Sequence, residues 1–122
     1  MSIRVGQNAP EFTLQGVVGD KFKDVCIDEF KGKWVVLFFY PLDFTFICPT
    51  EITEFSKRDS DFKAANAQVL GVSVDSVFSH KAWLKELGIL NYPLLSDMTK
   101  EVSRKYGVLL EDKGISLRGT FI

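Results

Sequence analysis

The segment Trp34–Glu51 reads WVVLFFYPLDFTFICPTE and decides the fold. Its first seven residues, Trp34–Tyr40, are β-branched, aliphatic or aromatic without polar alternation, which is typical of a strand buried on both faces. Proline is tolerated only in the first turn of a helix, where its missing N–H has no partner, so Pro49 must lie near a helix start. The segment therefore predicts a core strand, a loop and a helix with Cys48 at its entrance.

An amphipathic helix and a second strand are predicted directly after this segment. From Pro49 to about Ala67, apolar residues recur at offsets of three and seven residues, so they share one helical face. The members of this face are Ile52, Phe55, Phe62 and Ala65. The run Val69–Val74 indicates a second core strand. Because a strand–helix–strand order with so long a crossover joins parallel neighbours, the chain is predicted to contain a βαβ unit.

Shorter strands are predicted near both ends of the chain. Phe12–Leu14 and Phe22–Ile27 alternate in polarity around a turn-forming segment, which indicates an N-terminal hairpin. Val108–Leu110 and Ile115–Ile122 flank the turn residues 111–114, which indicates a second hairpin.

Two further helices are predicted between these hairpins. Ser79 is predicted to cap a helix that ends at Gly88. Asp97 is predicted to cap another helix, which contains Met98 and ends at Gly107. The elements together predict an α/β fold with a central mixed β-sheet flanked by helices and an N-terminal hairpin.

Composition narrows the class of protein. The 122 residues include 46% hydrophobic residues, enough for the core of one domain spanning residues 1–122. The net charge is −1, from 15 basic and 16 acidic residues, so nucleic acid is not an expected partner. The longest apolar run, Trp34–Tyr40, is too short to span a membrane, and the N-terminus lacks the apolar region of a signal peptide. A cytoplasmic location is therefore expected.

The most informative chemical feature is Cys48. A cysteine in the first turn of a helix lies at the positive end of the helix dipole, which favours the thiolate. The carboxyl end of a core strand is also the usual place for chemistry in open α/β sheets. A cysteine without such a context is more often an inert small hydrophobe. We apply that second interpretation to Cys26, for which a packing role is predicted.

His80 raises an alternative, in which Cys48 attacks a carbonyl and the imidazole acts as general base of a cysteine hydrolase. The sequence shows no orienting partner for the ring, so His80 is predicted to be a helix-start residue on a partly exposed face. With one histidine and no Cys-x-x-Cys pair, the chain also offers no tetrahedral zinc ligand set. No metal or cofactor is expected.

The motif Pro-x-x-x-Thr-x-x-Cys, formed by Pro41, Thr45 and Cys48, resembles the active-site motif of peroxiredoxins. The residues on either side of this motif resemble those of the typical two-cysteine branch of that family. Further resemblance lies in Ala9–Phe12, Val69–Ser76, His80–Trp83 and Arg118–Ile122. The resemblance implies a thioredoxin-like fold.

The resemblance also implies a role for each site residue. Cys48 would be the nucleophile, with the Thr45 hydroxyl within reach of both sulfur and peroxide. Pro41 would shield the thiolate from water and shape the pocket. Arg118 would stabilise the thiolate and donate hydrogen bonds to the peroxide oxygens. Glu51 would accept a hydrogen bond from a nearby arginine, or simply compensate the helix dipole, and both interpretations stay open.

The expected function is that of an antioxidant, thiol-dependent peroxidase that reduces hydrogen peroxide and small organic hydroperoxides through a cysteine sulfenic acid. The resemblance implies thioredoxin or a similar dithiol as reductant and, for a full-length chain, a homodimer or a ring of dimers as the assembly. The family continues beyond Ile122 with a strand, a helix and a tail that holds the resolving cysteine, so this chain is expected to lack them. The alternative is a thioredoxin-fold redox sensor or chaperone-like binding module without turnover.

Overall fold

The structure, a computed structural model, describes residues 4–43, 48–88 and 90–122, and at residues 48–51 it describes the main chain. The strands are β1 Thr13–Val18, β2 Lys21–Cys26, β3 Trp34–Phe39, β4 Ala67–Ser73, β5 Leu94–Ser96, β6 Leu109–Leu110, β7 Ile115–Ser116 and β8 Gly119–Phe121. The helices are α1 Cys48–Lys57, α2 Asp59–Ala64, α3 Val77–Leu87 and α4 Glu101–Lys105, with a 3₁₀ turn at Ile27–Phe30.

A mixed sheet with the strand order β2-β1-β5-β4-β3-β8 forms the centre of the molecule. Strands β3, β4 and β5 run parallel, with Val36 opposite Val69 in the β3–β4 register. Strand β8 pairs antiparallel with β3 at one edge, and the β1–β2 hairpin extends the sheet from β5 at the other. The predicted core strands, the βαβ unit and the N-terminal hairpin are all confirmed.

Side chains of β3 alternate between two hydrophobic cores, one on each face of the sheet. Phe38 packs on the face covered by α1 and α3, where it stacks on Phe55 with a centroid distance of 4.6 Å. Phe39 packs on the opposite face, against Tyr106. Gly71 of β4 permits this packing, because an added Cβ would lie 2.7 Å from Phe38 Cζ. From Val36 onward both faces of the strand are buried, as its uniform hydrophobicity predicts, whereas Trp34 at its start is exposed.

The long predicted helix is two helices. The helical main chain breaks at Arg58, where ψ is 15°, and α2 begins at the next residue. The chain then turns through Asn66, whose φ of 57° is left-handed. Ile52 is completely buried as predicted, but Ala65 is exposed because α2 ends before it. The apolar spacing continued past the point at which the chain turns toward β4.

Helix α3 begins three residues earlier than predicted. Its N-cap is Ser76, whose Oγ accepts a hydrogen bond from the Ser79 N–H at 3.1 Å. Ser79 is therefore inside the helix, and its prediction as the cap is wrong. The predicted end at Gly88 is confirmed, and its φ of 91° suits glycine.

Helix α4 begins later than predicted and is shorter, and its N-cap is Lys100, so the prediction of Asp97 at the N-cap position is wrong. The Asp97 carboxylate accepts hydrogen bonds from the N–H groups of Val102 and Ser103 at 3.2 and 2.6 Å. Met98 lies before the helix and is exposed, because the chain first passes through Lys100, whose φ is 67°. The predicted C-terminal hairpin is confirmed as β6–β7, but β8 is a separate strand in the main sheet. Within the described ranges, no helix is long and apolar enough to cross a bilayer.

Candidate active site

Cys48 begins α1, so the prediction that it lies at a helix entrance is confirmed. The helix follows β3 and the connecting segment at the carboxyl end of a parallel strand pair. Main-chain N–H groups at the start of a helix lack intrahelical partners and carry partial positive charge, which stabilises a thiolate there. The backbone alone therefore provides one element of thiol activation.

The other predicted site residues differ in what the structure describes. Pro41 is half-buried two residues after the end of β3. Thr45 lies outside the described residues, as do the side chains of Cys48 and Glu51. The roles predicted for these residues therefore stay predictions.

Arg118 is exposed and directly precedes β8, where Gly119 pairs with Phe39 of β3. It lines a cavity of about 440 Å³ together with Glu54 and Arg58 of the α1–α2 region. The remaining lining residues are mainly aromatic: Phe38, Phe39, Phe55 and Phe62, with Gly119 and Thr120. The structure thus brings Arg118 to the two elements that border the motif segment, β3 and α1. Its approach to the Cys48 sulfur stays a prediction.

The carboxylate of Asp43 lies in the core, inside the Pro41–Cys48 motif. It is buried and interacts with the side chain of Tyr40, directly after β3, and with side chains of α3. Tyr40 Oη donates to Asp43 Oδ1 at 2.6 Å, and Ser79 Oγ donates to Oδ2 at 2.9 Å. The Nδ1 atom of His80 lies 2.6 Å from the same Oδ2. Three side chains therefore hold the carboxylate five residues before Cys48 in the sequence.

The ring of His80 has no exposed surface, and both of its nitrogens face oxygen atoms. Nε2 lies 2.8 Å from the carbonyl oxygen of Leu95, which can only accept, so Nε2 carries a proton. The Nδ1···Oδ2 contact with Asp43 then requires a second proton, either on Nδ1 or on the carboxyl group. This second proton is therefore shared between His80 Nδ1 and Asp43 Oδ2.

The prediction that His80 lies on a partly exposed face without an orienting partner is wrong. His80 shares the buried face of α3 with Val77, Trp83 and Leu84, and this apolar helical spacing was readable in the sequence. The structure also argues against the hydrolase alternative. With both ring nitrogens engaged by Asp43 and Leu95, the ring has no nitrogen available to accept a proton from a thiol.

Tyr40 and Asp75 complete this network, and neither was predicted as a site residue. Burial, with the Asp43 carboxylate as a further cause, raises the pKa of Tyr40 well above its ordinary value, so its hydroxyl stays a donor. Asp75 follows β4, and its Oδ2 accepts from the Asp43 N–H at 2.7 Å and from Ser73 Oγ at 2.9 Å. Burial also raises the pKa of Asp75, although the hydrogen bond from the Asp43 N–H opposes that shift. For Asp75 the sequence did hold a signal, because this acidic residue directly follows the predicted core strand Val69–Val74.

Cys26, the second cysteine, is half-buried at the end of β2 and remains a free thiol. Its main-chain N–H donates to Glu29 Oε2 at 2.9 Å. In the described part of the chain, His, Cys, Asp and Glu side chains form no group of three that could hold a metal ion.

The chain is similar to proteins of known family. A family model described as the AhpC/TSA family matches residues 5–122. The chain is 56% identical over 125 residues to the chloroplastic 2-Cys peroxiredoxin BAS1 of Spinacia oleracea, covering 97% of this chain and 47% of that protein. It is 56% identical over 124 residues to the mitochondrial thioredoxin-dependent peroxide reductase of Homo sapiens, covering 97% and 48%. The solved structure of Mycobacterium bovis AhpC matches with a TM-score of 0.91 and 40% identity, covering 99% and 75%.

These matches extend through both parts of the predicted site, the Pro41–Cys48 motif and the Arg118–Ile122 strand. The chain spans about half the length of the two curated relatives described. The structural match at this level of identity confirms the predicted thioredoxin-like α/β fold. By its motif, its fold and these similarities, the chain belongs to the AhpC/TSA family, the peroxiredoxins.

Proposed function

We propose that the chain carries the peroxide-reducing site of a thiol-dependent peroxidase and acts on hydrogen peroxide and small organic hydroperoxides. The observation that carries the proposal is Cys48 at the entrance of α1, at the carboxyl end of the central strands, in a member of the peroxiredoxin family. A helix entrance favours the thiolate, which is the reactive form of cysteine. The role is antioxidant defence.

The proposed reaction is a displacement at oxygen. The Cys48 thiolate attacks the terminal oxygen of the peroxide, an S–O bond forms and the O–O bond breaks. The departing hydroxide or alkoxide takes a proton and leaves as water or an alcohol, and Cys48 becomes a sulfenic acid. Sulfur loses two electrons, and the peroxide gains them.

Four neighbours support this step in the proposal. Arg118 and Thr45 donate hydrogen bonds to the peroxide oxygens, where negative charge develops as the O–O bond breaks. Pro41 shapes the pocket, and its half-buried position beside the end of β3 suits that role. Glu51 steadies a nearby arginine or compensates the helix dipole.

A dithiol completes the proposed cycle. One thiol of thioredoxin or a similar protein condenses with the sulfenic acid and releases water, and its second thiol then frees Cys48 as the reductant becomes a disulfide. The name of the human relative, a thioredoxin-dependent peroxide reductase, supports this choice. For the full-length protein we further propose a homodimer or ring of dimers. The cytoplasmic location stays a prediction, since the matched relatives include proteins named as chloroplastic and mitochondrial.

The test is a rapid-mixing experiment with sub-stoichiometric hydrogen peroxide and the reduced chain. We expect fast consumption of the Cys48 thiol, complete loss of the fast phase in Cys48→Ser, and a rate about 100-fold lower in Arg118→Ala, the usual effect of removing one donor to developing charge. Cys26→Ser is the matched control and should retain the wild-type rate. A wild-type rate equal to that of a free thiol would contradict the proposal and favour the sensor or chaperone-like alternative.

A further inference from the structure

Asp75 connects the end of a core strand to the motif segment. Its Oδ2 accepts the main-chain N–H of Asp43 at 2.7 Å and the hydroxyl of Ser73 at 2.9 Å. The Ser73 oxygen in turn accepts the Asp75 N–H at 3.2 Å, and the Asp75 carbonyl accepts from Ser96 Oγ at 2.6 Å. Ser73 of β4 and Ser96 of β5 therefore fix the orientation of Asp75, whose carboxylate accepts the Asp43 N–H.

Asp43 is thus held at two separate points. Asp75 holds its main chain, while Tyr40, Ser79 and His80 hold its side chain. Two attachments define the direction of the chain as well as its position, and a single attachment would leave rotation about it. Asp43 is the last described residue before α1, whose first residue, Cys48, follows five positions later, so the described main chain leading toward the thiol is anchored at Asp43.

We propose that Asp75 is a positioning residue for Cys48, acting as the acceptor that holds the Asp43 main chain. The proposal rests on the proposed function, in which Cys48 is the thiol that attacks the peroxide. Displacement at oxygen requires the sulfur in line with the O–O bond, and small misplacements of a reacting group lower rates strongly. A shift of the chain at Asp43 therefore slows the reaction without removing any group that touches the peroxide.

The acceptor, rather than the negative charge, is the useful property of Asp75. Burial raises the pKa of this carboxyl group, and the nearby Asp43 carboxylate disfavours its ionisation further. An amide oxygen can accept the same hydrogen bonds from the Asp43 N–H and the Ser73 hydroxyl. Asparagine at this position is therefore the conservative variant, and alanine removes the acceptor.

The experiment measures the second-order rate of Cys48 with hydrogen peroxide by rapid mixing, in the full reduced chain and well below its melting temperature. We expect a rate at least ten-fold lower in Asp75→Ala and within about three-fold of wild type in Asp75→Asn. Val102→Ala is the matched control, because it creates a cavity in the core on the opposite face, away from Asp43. It should lower the melting temperature and leave the rate unchanged.

Several outcomes would overturn the proposal. A wild-type rate in folded Asp75→Ala would exclude a positioning role, and equal losses in Asp75→Asn and Asp75→Ala would exclude the acceptor as its basis. If Asp75→Ala does not fold, Ser73→Ala replaces it: removing the hydroxyl that orients the carboxylate should lower the rate three-fold or more, and an unchanged rate would refute the role. A slow wild-type reaction would instead refute the proposed function, on which this inference depends.

Discussion

The two sides of the candidate site are held in different ways. On one side, Asp43 is buried and is bonded to Tyr40 directly after β3, to side chains of α3, and to Asp75 shortly after β4. On the other side, Arg118 is exposed and is carried by β8, a three-residue strand at the sheet edge that pairs with β3. Fully hydrogen-bonded buried groups are costly to disturb, whereas an edge strand depends on packing. Mutations on the first side should therefore cost more stability than mutations on the second side.

The largest expected effect follows from removing the buried carboxylate. Asp43→Ala leaves His80 in the core without its acid partner, and breaking a buried pair in this way costs about 3–5 kcal/mol of unfolding free energy. Urea unfolding measures the change. Ser79→Ala, which removes one hydrogen bond to the same carboxylate, is the control and should cost about 1 kcal/mol. Similar values for the two variants would mean that the buried carboxylate contributes no more than a single hydrogen bond.

A smaller loss is expected at the edge strand. The half-buried ring of Phe121 lies with its centroid 5.9 Å from that of Phe39 and 5.3 Å from that of Tyr106. Phe121→Ala should cost about 2 kcal/mol, less than truncation of a fully buried phenylalanine. The peroxide rate should also fall, because β8 carries Arg118. Thr120→Ala, an exposed position on the same strand, should change neither quantity; a normal rate in Phe121→Ala would show that packing of β8 does not position Arg118.

Ionisation of Tyr106 should lower the stability of the fold, but only in strongly alkaline solution. Burial raises the pKa of Tyr106 to about 12, and its hydroxyl donates to the Pro10 carbonyl at 2.8 Å. A raised folded-state pKa means that the stabilisation is complete below the unfolded value of about 10 and is lost as pH rises through about 12. Absorbance at 295 nm follows phenolate formation. Folded protein should lag the urea-unfolded chain, and overlapping titration curves would contradict burial of this group.

The smallest effect on stability is expected at Arg118 itself. Arg118→Lys keeps the charge at an exposed position, so the unfolding free energy should change by less than about 0.5 kcal/mol. The peroxide rate should nevertheless fall about ten-fold, because an ammonium group cannot reproduce the planar fork of a guanidinium. Thermal melting and rapid mixing on the same sample separate the two quantities. A large fall in melting temperature would mean that Arg118 is mainly structural.

Local patterns predicted the parts of the fold that depend on nearby residues. The uniform hydrophobicity of Trp34–Tyr40 predicted a strand buried on both faces, and Pro49 predicted the helix entrance at Cys48. Gly88 correctly marked a helix end, and Asp97 marked the region of a helix start, where its carboxylate accepts main-chain N–H groups although Lys100 is the N-cap. These features follow from one strand, one turn or one cap, and the residues that determine them lie within a few positions of each other.

The sequence-based predictions failed where the local sequence was equally compatible with two helix boundaries. Ser76 and Ser79 are both good capping residues, and packing of α3 on the sheet decided between them. The apolar spacing of Ile52, Phe55, Phe62 and Ala65 did not reveal that the helix breaks at Arg58. The spacing of apolar residues shows that they share one helical face. A short break in the helix can leave some of those residues on the same face, so the spacing does not reveal the break.

The sequence by itself determined the parallel core, the hairpin next to it and a cysteine at a helix entrance, because hydrophobic period, proline and capping chemistry act over a few residues. Only the tertiary structure decided that Asp43 meets His80, 37 positions away, and that Asp75 holds the main chain at Asp43. Such contacts depend on which strand ends the sheet brings together. Burial then makes each hydrogen bond costly to lose, because a buried group that loses its partner is removed from bulk solvent.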